Sequence, residues 1–513
     1  MNNKWLRAVA FVALSALTGC AAVGPDFEQP DVEVDGEWLE SSSPLIESSQ
    51  TEYRDWWLTF NDPVLNQLVN TAYEQNLNLQ VAGLRILEAR AQLGYARGLQ
   101  YPQSQSVQAS YSRATSSMNS PPFSNLPPNI PISNSTSFWS TGFNIAWEAD
   151  VWGRFRRGIE AADANLAANM LNYDAVLVSL TGDVALTYTT IRTLEQQLTY
   201  TRQNVNLQRR ALDLAQARFD LGAASELDVQ QSTGQLKGTE SLVPFLSLNI
   251  RLARNVLGLL LGLRPDEVDA ILGGSAALPA APTHAAVGIP ADLIRRRPDV
   301  RAAEMTAAAQ SAAIGIATAD LYPSFVLAGS IGLSGETFSD QFQSGSGTGI
   351  VTPLIDWKIF NYGRIRNNIR VQDARFEQLL ARYENVVLNA LREVEDGLVG
   401  FLRSQEEVTF LVDAVAASQR SVEISLDQYD AGAVDYQRVL NSQATLLQQQ
   451  DSLAQAQGRV VSSLVSAYRA LGGGWNLRQG NNYVPSETLE NMRNRTNWGK
   501  LLEDQSEPEH LSN

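Results

Sequence analysis

The stretches RFDLGAASELDV, residues 218–229, and QYDAGAVDYQRV, residues 428–439, each place a glycine and small residues inside a long helical pattern. The matching small residues are 210 positions apart: Gly222 matches Gly432, and Ala223 matches Ala433. Glycine readily takes the left-handed backbone conformation that ends a helix. Both sites are therefore predicted to be turns at the tips of two helical hairpins.

The spacing of 210 extends well beyond the turns and divides the chain into two repeats. Further pairs share this offset without a gap: Gly153 and Gly363, Tyr173 and Tyr383, Ser232 and Ser442, Leu236 and Leu446. Upstream, the first copy carries an insert around NSPPFSNLPPNIPI, whose composition is typical of a loop. Self-similarity of this kind indicates two copies of one supersecondary unit.

Apolar residues recur every seven positions on the way to each turn, and proline is absent from residues 132–243 and 354–484. The first series is Met170, Leu177, Val184, Ile191, Leu198, Val205, Leu212 and Phe219, and a second series ends at Tyr429. Such heptads favour long helices packed as a left-handed coiled coil. At 1.5 Å per residue, a helix from about 155 to 220 would be roughly 100 Å long. Each repeat is therefore predicted to contain a long antiparallel helical hairpin.

Segments with a period of two precede each long helix, as in the alternation of Trp139, Phe143 and Trp147 with small and polar residues. Four strands are expected, at about 103–114, 137–149, 323–334 and 348–359. The pattern is typical of a transmembrane β-barrel, although one layer of a soluble sandwich remains an alternative for any single strand. Closure needs about eight strands even when side chains fill the barrel. Several chains must then share one barrel, and three chains with twelve strands are the smallest arrangement that leaves a duct.

The N-terminus has the layout of an export signal over residues 1–19, with Lys4 and Arg7 followed by the apolar run AVAFVALSAL. The motif LTGC, residues 17–20, spans the end of the signal and resembles a bacterial lipobox, so Cys20 is expected to become the lipidated first residue. A free or buried thiol is the alternative for this single cysteine. Ala21 follows, in place of the aspartate that can retain lipoproteins at the inner membrane, which favours an outer membrane anchor.

The charge and the residue types limit the possible functions. The formal net charge of -16 becomes more negative when the signal, with its two cations, is removed. Nucleic acid is therefore not an expected partner, since phosphate binding needs a clustered positive surface. With only His284 and His510, and with no Walker A or GxSxG motif, neither an enzyme, a metal site nor a cofactor is expected.

Three stretches carry a resemblance over nearly all of the mature chain: CAAVGPDFEQP, DWWLTFNDPVLNQLV and IPADLIRRRPDVRAAE. The chain resembles the TolC-like outer membrane factors of tripartite efflux and type I secretion systems, most closely their lipoprotein branch of NodT type. The resemblance implies a mixed fold with two structural repeats, in which the helical hairpins of a homotrimer form an α-barrel below a shared transmembrane β-barrel. It implies a passive duct for drugs or other small molecules, in the outer membrane and lipid-anchored, with its helical tunnel in the periplasm. The implied partners are a periplasmic adaptor and an inner-membrane pump of the RND type.

The expected organisation has six parts. They are the signal 1–19, a lipid-anchored segment 20–60, a first repeat 61–262, a linker 263–288, a second repeat 289–472 and a polar tail 473–513.

The resemblance also implies a gate and an adaptor-docking surface at the hairpin tips, the latter at Gly222, Ala223, Gly432 and Ala433. Asp228 stands at the family's gate aspartate, and Tyr429 stands at the tyrosine that pairs with it. The resemblance also assigns Arg438 and Asn441 to the gate, at positions that are often pore-ringing aspartates in relatives, so an acidic ring is not expected here. From the residues alone, Tyr429 could equally end a heptad stripe and Asp228 could simply start a helix.

A lipid-anchored periplasmic coiled-coil adaptor is the alternative function. Adaptors usually carry one hairpin between lipoyl-like and soluble β domains, whereas this chain has two hairpins in a gapless repeat.

Overall fold

In a computed structural model, the structure describes residues 22–30, 37–47, 55–119, 121, 133–274, 277–287, 296–478 and 481–503. Helices make up most of this part of the chain. The predicted signal, Cys20 and the start of IPADLIRRRPDVRAAE lie outside the described residues.

Four long helices form the two predicted hairpins. In the first repeat α3 spans Arg154–Asp220 and α4 spans Glu226–Leu261, and in the second α7 spans Arg364–Asp430 and α8 spans Tyr436–Ala470. The helices α3 and α7 both have 67 residues, and their ends differ by the same 210 positions. At 1.5 Å per residue each is about 100 Å long. The repeat and the hairpins predicted from the sequence are thus confirmed.

The four longer strands form one antiparallel sheet in the order β2-β3-β5-β6. Their bounds are Ser104–Thr115 for β2, Ser135–Ala149 for β3, Ser324–Gly335 for β5 and Gly347–Asp356 for β6. The register pairs Phe143 with Ile331 and Trp147 with Leu327, so the apolar positions of neighbouring strands share one face. The outer edges of β2 and β6 are left without a partner strand in the described sheet.

Shorter elements pack against the long helices. They are α1 (Pro63–Gln75), α2 (Leu77–Gly98), α5 (Pro265–Leu272), α6 (Pro298–Ala319), α9 (Ser486–Arg495) and a two-strand pair of β1 (Ile46–Glu47) and β4 (Ala285–Ala286). The predicted linker therefore contains a helix, whose Val268 is fully buried. The predicted polar tail contains α9, and its Tyr483 and Leu489 lie in the main hydrophobic core.

In the described ranges, no single helix is both long enough and apolar enough to cross a membrane. By length and composition alone, α4 and α5 pass that test together, with a bend of 99° between them.

Candidate functional site at the hairpin tips

The two tip turns are built in the same way. Gly222 has φ +72° and Gly432 has φ +73°, the left-handed conformation that side chains disfavour. Each glycine N–H donates to a carbonyl three residues back, and the following alanine N–H donates five residues back, at distances of 2.8–2.9 Å. These bonds satisfy carbonyls at the helix ends that would otherwise lack partners. Ala223 and Ala433 are both exposed at the tips.

Asp228 lies in the first turn of α4, immediately beyond the first tip. Ser225 caps this helix, and its hydroxyl donates to Asp228 Oδ1 at 2.9 Å. The helix N-terminus carries a partial positive charge, which complements a side chain of negative charge at this position. The cap fixes one oxygen of the carboxylate, so Oδ2 is free to accept a bond from another helix.

Tyr429 supplies that bond from the second hairpin. Its hydroxyl donates to Asp228 Oδ2 at 3.2 Å, although 201 positions separate the two residues in the chain. Its ring is 2% exposed, packs edge-on against Tyr436 with ring centres 5.0 Å apart, and belongs to a small core with Ala215 and Val439. The two interpretations from the sequence are therefore compatible, because the ring fills the core while the hydroxyl contacts Asp228.

The pKa of Tyr429 is raised from an ordinary value of 10.0 to about 12. Burial of the phenol is the largest cause, and the negative charge of Asp228 is the next. A raised pKa means that folding favours the neutral phenol, the form that donates to Asp228. This stabilisation is fully present below about pH 10 and is lost as the pH rises through about 12.

We expect the tyrosinate absorbance that distinguishes the wild type from Tyr429→Phe to develop near pH 12. Circular dichroism at each pH would confirm that the helices remain folded during the titration. A difference spectrum that develops at the ordinary pKa of 10.0 would contradict the buried, hydrogen-bonded phenol.

Arg438 and Asn441 do not join this pair. Both are exposed on the first turns of α8. The backbone N–H of Arg438 donates to the capping carboxylate of Asp435 at 3.3 Å, and Asn441 Oδ1 accepts from Gln437 at 3.0 Å. Their contacts therefore stay within the second hairpin.

Two further residues contribute contacts at the tips, Arg218 and Tyr436, and the sequence analysis does not predict either of them. The guanidinium of Arg218 lies 4.9 Å from the ring centre of Tyr429. The buried hydroxyl of Tyr436 donates to Ser232 Oγ at 2.6 Å, which gives a second link between α8 and α4. The signal that could have found them is the difference between the repeats, where Gln428 and Glu226 occupy the equivalent positions.

The arrangement joins the ends of the two hairpins by hydrogen bonds between their side chains and from Arg218 to the end of α7. In the ranges that the structure describes, no group of three or more His, Cys, Asp or Glu side chains is placed to hold a metal ion.

Known proteins share both repeats of this chain. The model of the outer membrane efflux protein family matches residues 68–263 and 289–473. The chain is 28% identical over 477 residues to the probable efflux pump outer membrane protein SepC of Pseudomonas putida, an alignment that covers 90% of this chain and 96% of SepC. It is 28% identical over 461 residues to nodulation protein T of Rhizobium leguminosarum bv. trifolii, covering 90% and 96%.

Among solved structures, the outer-membrane channel OprN aligns with a TM-score of 0.81 and 32% sequence identity, over 88% of this chain and 99% of OprN. The family model covers well over half of the chain and includes both tips. The chain therefore belongs to the outer membrane efflux protein family.

Proposed function

We propose that three copies of this chain assemble into one passive duct, which is closed at the hairpin tips until a pump assembly docks there. As an outer membrane efflux protein, the chain serves as the outer membrane channel of a tripartite efflux system, with its helical tunnel in the periplasm. To this family role, the proposal adds the number of copies in the assembly, the gate at the tips and the partner proteins.

The open sheet is the observation that best supports a trimer. The described sheet has four strands and two unpaired edges, and an exposed edge readily pairs with another chain. A closed barrel needs about eight strands and an open lumen needs more. Three copies with four strands each give twelve, joined where β6 of one copy meets β2 of the next.

The helices support the same assembly, because α4 is apolar on two opposite faces. One face packs in the core through residues such as Leu257 and Leu261. The other is exposed, and its residues recur every three or four positions: Leu242, Phe245, Leu248, Leu252, Val256 and Leu259. A helix that is apolar on both sides is normally covered on both. The exposed face is called the α4 outer face below.

A complementary surface lies on α7, where Leu388, Val399, Phe410 and Ile424 are exposed on one side. Phe410 lies 20 residues before the end of α7, and Phe245 lies 19 residues after the start of α4. The two surfaces are thus at the same distance from the tips. The α4 outer face of one copy can cover the α7 face of the next around a ring.

The proposed partners are a periplasmic adaptor and an inner-membrane pump of the RND type, which meet the duct at its tips. The exposed Ala223 and Ala433 turns form the docking surface. Tyr429 and Asp228 hold the tips closed until then. SepC carries the name of an efflux pump component, which supports an efflux role for this chain.

Extraction of the protein from the membrane tests the proposed assembly. The protein should leave the membrane only with detergent and should run as a heat-sensitive trimer of a chain that is smaller, by the removed signal, than the 56.1 kDa of the full sequence. Mass measurement under mild conditions that gives a monomer or a dimer would contradict the trimer.

We further propose that Cys20 is acylated and anchors each copy. We expect the mature N-terminal peptide to carry lipid on Cys20 in mass spectrometry. Cys20→Ser should weaken membrane anchoring and leave some membrane association, because the shared barrel still spans the bilayer. An unmodified Cys20, or an intact Met1, would contradict the lipid anchor.

A further inference from the structure

Arg218 connects the two tips. It lies in the last turn of α3, and its Nη1 donates to the carbonyl oxygens of Tyr429 at 2.6 Å and Asp430 at 2.5 Å, where α7 ends. Its Nη2 lies 3.4 Å from the carbonyl oxygen of Ala223 in its own turn. One cation therefore contacts the end of the second hairpin and the turn of the first.

This position suits a guanidinium. The last carbonyls of a helix lack intrahelical partners and carry a partial negative charge, which a cation complements. Arginine presents several donors in a rigid plane, so it can bind two neighbouring carbonyls at once. The same group lies over the ring of Tyr429, where a cation is attracted by the aromatic face.

Tyr429 is consequently held on two sides. Arg218 contacts its backbone and its ring, and Asp228 accepts from its hydroxyl. Gly432 leaves the space for this arrangement, since a side chain there would begin 3.3 Å from Arg218 Nη2.

The arrangement is not repeated at the other tip. The position equivalent to Arg218 is Gln428, which is exposed. The first hairpin thus supplies the cation, and the second supplies the carbonyls and the phenol.

We propose that Arg218 is a positioning residue of the gate, which holds the end of α7 against the first hairpin and so places the Tyr429 hydroxyl on Asp228. The inference rests on the gate in the proposed function. Opening then requires that Arg218 leave the two α7 carbonyls, in addition to separation of Tyr429 from Asp228.

Arg218→Gln tests the proposal by installing the side chain that the second repeat carries. Hydrogen bonds to charged groups are strong enough that their loss should raise the open probability in planar bilayers by about tenfold. Arg218→Lys keeps the charge and loses the planar fork, so it should give an intermediate value. Arg209→Gln is the matched control, because Arg209 lies on the same helix and pairs with Glu240 inside the first hairpin.

A second readout separates positioning from a general loss of stability. Arg218 lowers the pKa of Tyr429, whereas burial and Asp228 raise it, and Tyr436 also faces the phenol. If Arg218 positions the ring, Arg218→Gln should free Tyr429 and bring its pKa down towards 10.0. If the ring stays in place without Arg218, that pKa should rise.

Higher conductance with a lower pKa of Tyr429, in a protein that remains trimeric in detergent, is the expected result. Unchanged conductance in Arg218→Gln would overturn the role of Arg218 if Tyr429→Phe still opens the channel, and it would leave the proposed gate intact. A raised pKa of Tyr429 in the Arg218→Gln variant would also overturn the positioning role of Arg218. If neither variant changes the conductance, the gate itself is wrong and the role of Arg218 in it is wrong too.

Discussion

Replacement of both Leu252 and Val256 by glutamate is expected to prevent a stable trimer from forming. These side chains are 52% and 51% exposed in the single chain and belong to the α4 outer face. Covering an apolar side chain contributes about 1.5–3 kcal/mol when its burial is complete. Burial of an unpaired carboxylate costs far more than this gain. Since each of the three contacts around the ring would contain both substitutions, assembly should be lost altogether, as measured by mass in mild detergent.

Ser247→Glu is the control for this prediction. Ser247 is exposed on α4 and is not part of the α4 outer face, and its hydroxyl donates to the carbonyl of Val243 in its own helix. This variant should remain trimeric. If Leu252→Glu/Val256→Glu is also trimeric, the α4 outer face does not lie between copies.

Tyr429→Phe is expected to raise the conductance of the channel. The substitution removes the hydroxyl that donates to Asp228 and keeps the ring in its core with Tyr436. A hydrogen bond to a charged group is worth about 1.5–3 kcal/mol, and a trimer has three copies of it. Each lost copy would favour opening by roughly tenfold to a hundredfold.

A double-mutant cycle attributes this effect to the pair. Asp228→Ala should raise the conductance as well, and the double variant should add little to either change, because both remove the same contact. Tyr95→Phe, on the exposed surface of α2, removes a hydroxyl elsewhere and should have no effect. Lower thermal stability of Tyr429→Phe with unchanged conductance would assign Tyr429 to the coiled-coil core alone.

The sequence predicts the long helices and strands closely because both are encoded in local periodicity. The heptads and the glycines placed the end of the first long helix near 220, and α3 ends at Asp220. The resemblance to the outer membrane factors, read from three stretches, is confirmed by the family match. An adaptor, the alternative function, does not fit that match.

The contacts between hairpins could not be predicted in the same way, since they depend on how one coiled coil faces another. Arg218 looks like a surface residue in its own heptad, and only the position of α7 gives it two carbonyls to bind. Arg192 also depends on tertiary packing, in this case of α5 against α3. It is fully buried, because Glu195 lies 2.7 Å away and the carbonyl of Leu272 at the end of α5 accepts from it.

The C-terminal segment shows another limit of local patterns. Its composition is polar and it has no heptads, yet Leu489 and Met492 are buried in the core. A few apolar residues suffice there because the long helices and α2 already supply a surface. Periodicity within the segment carries no information about that surface.

Current through single channels tests the central claim most directly. Purified Asp228→Ala protein, added to a planar bilayer, should give discrete current steps, and the wild type should give smaller or rarer ones because the proposed gate keeps its tips closed. Silent bilayers from an Asp228→Ala protein that is trimeric in the same detergent would contradict a duct closed by Tyr429 and Asp228.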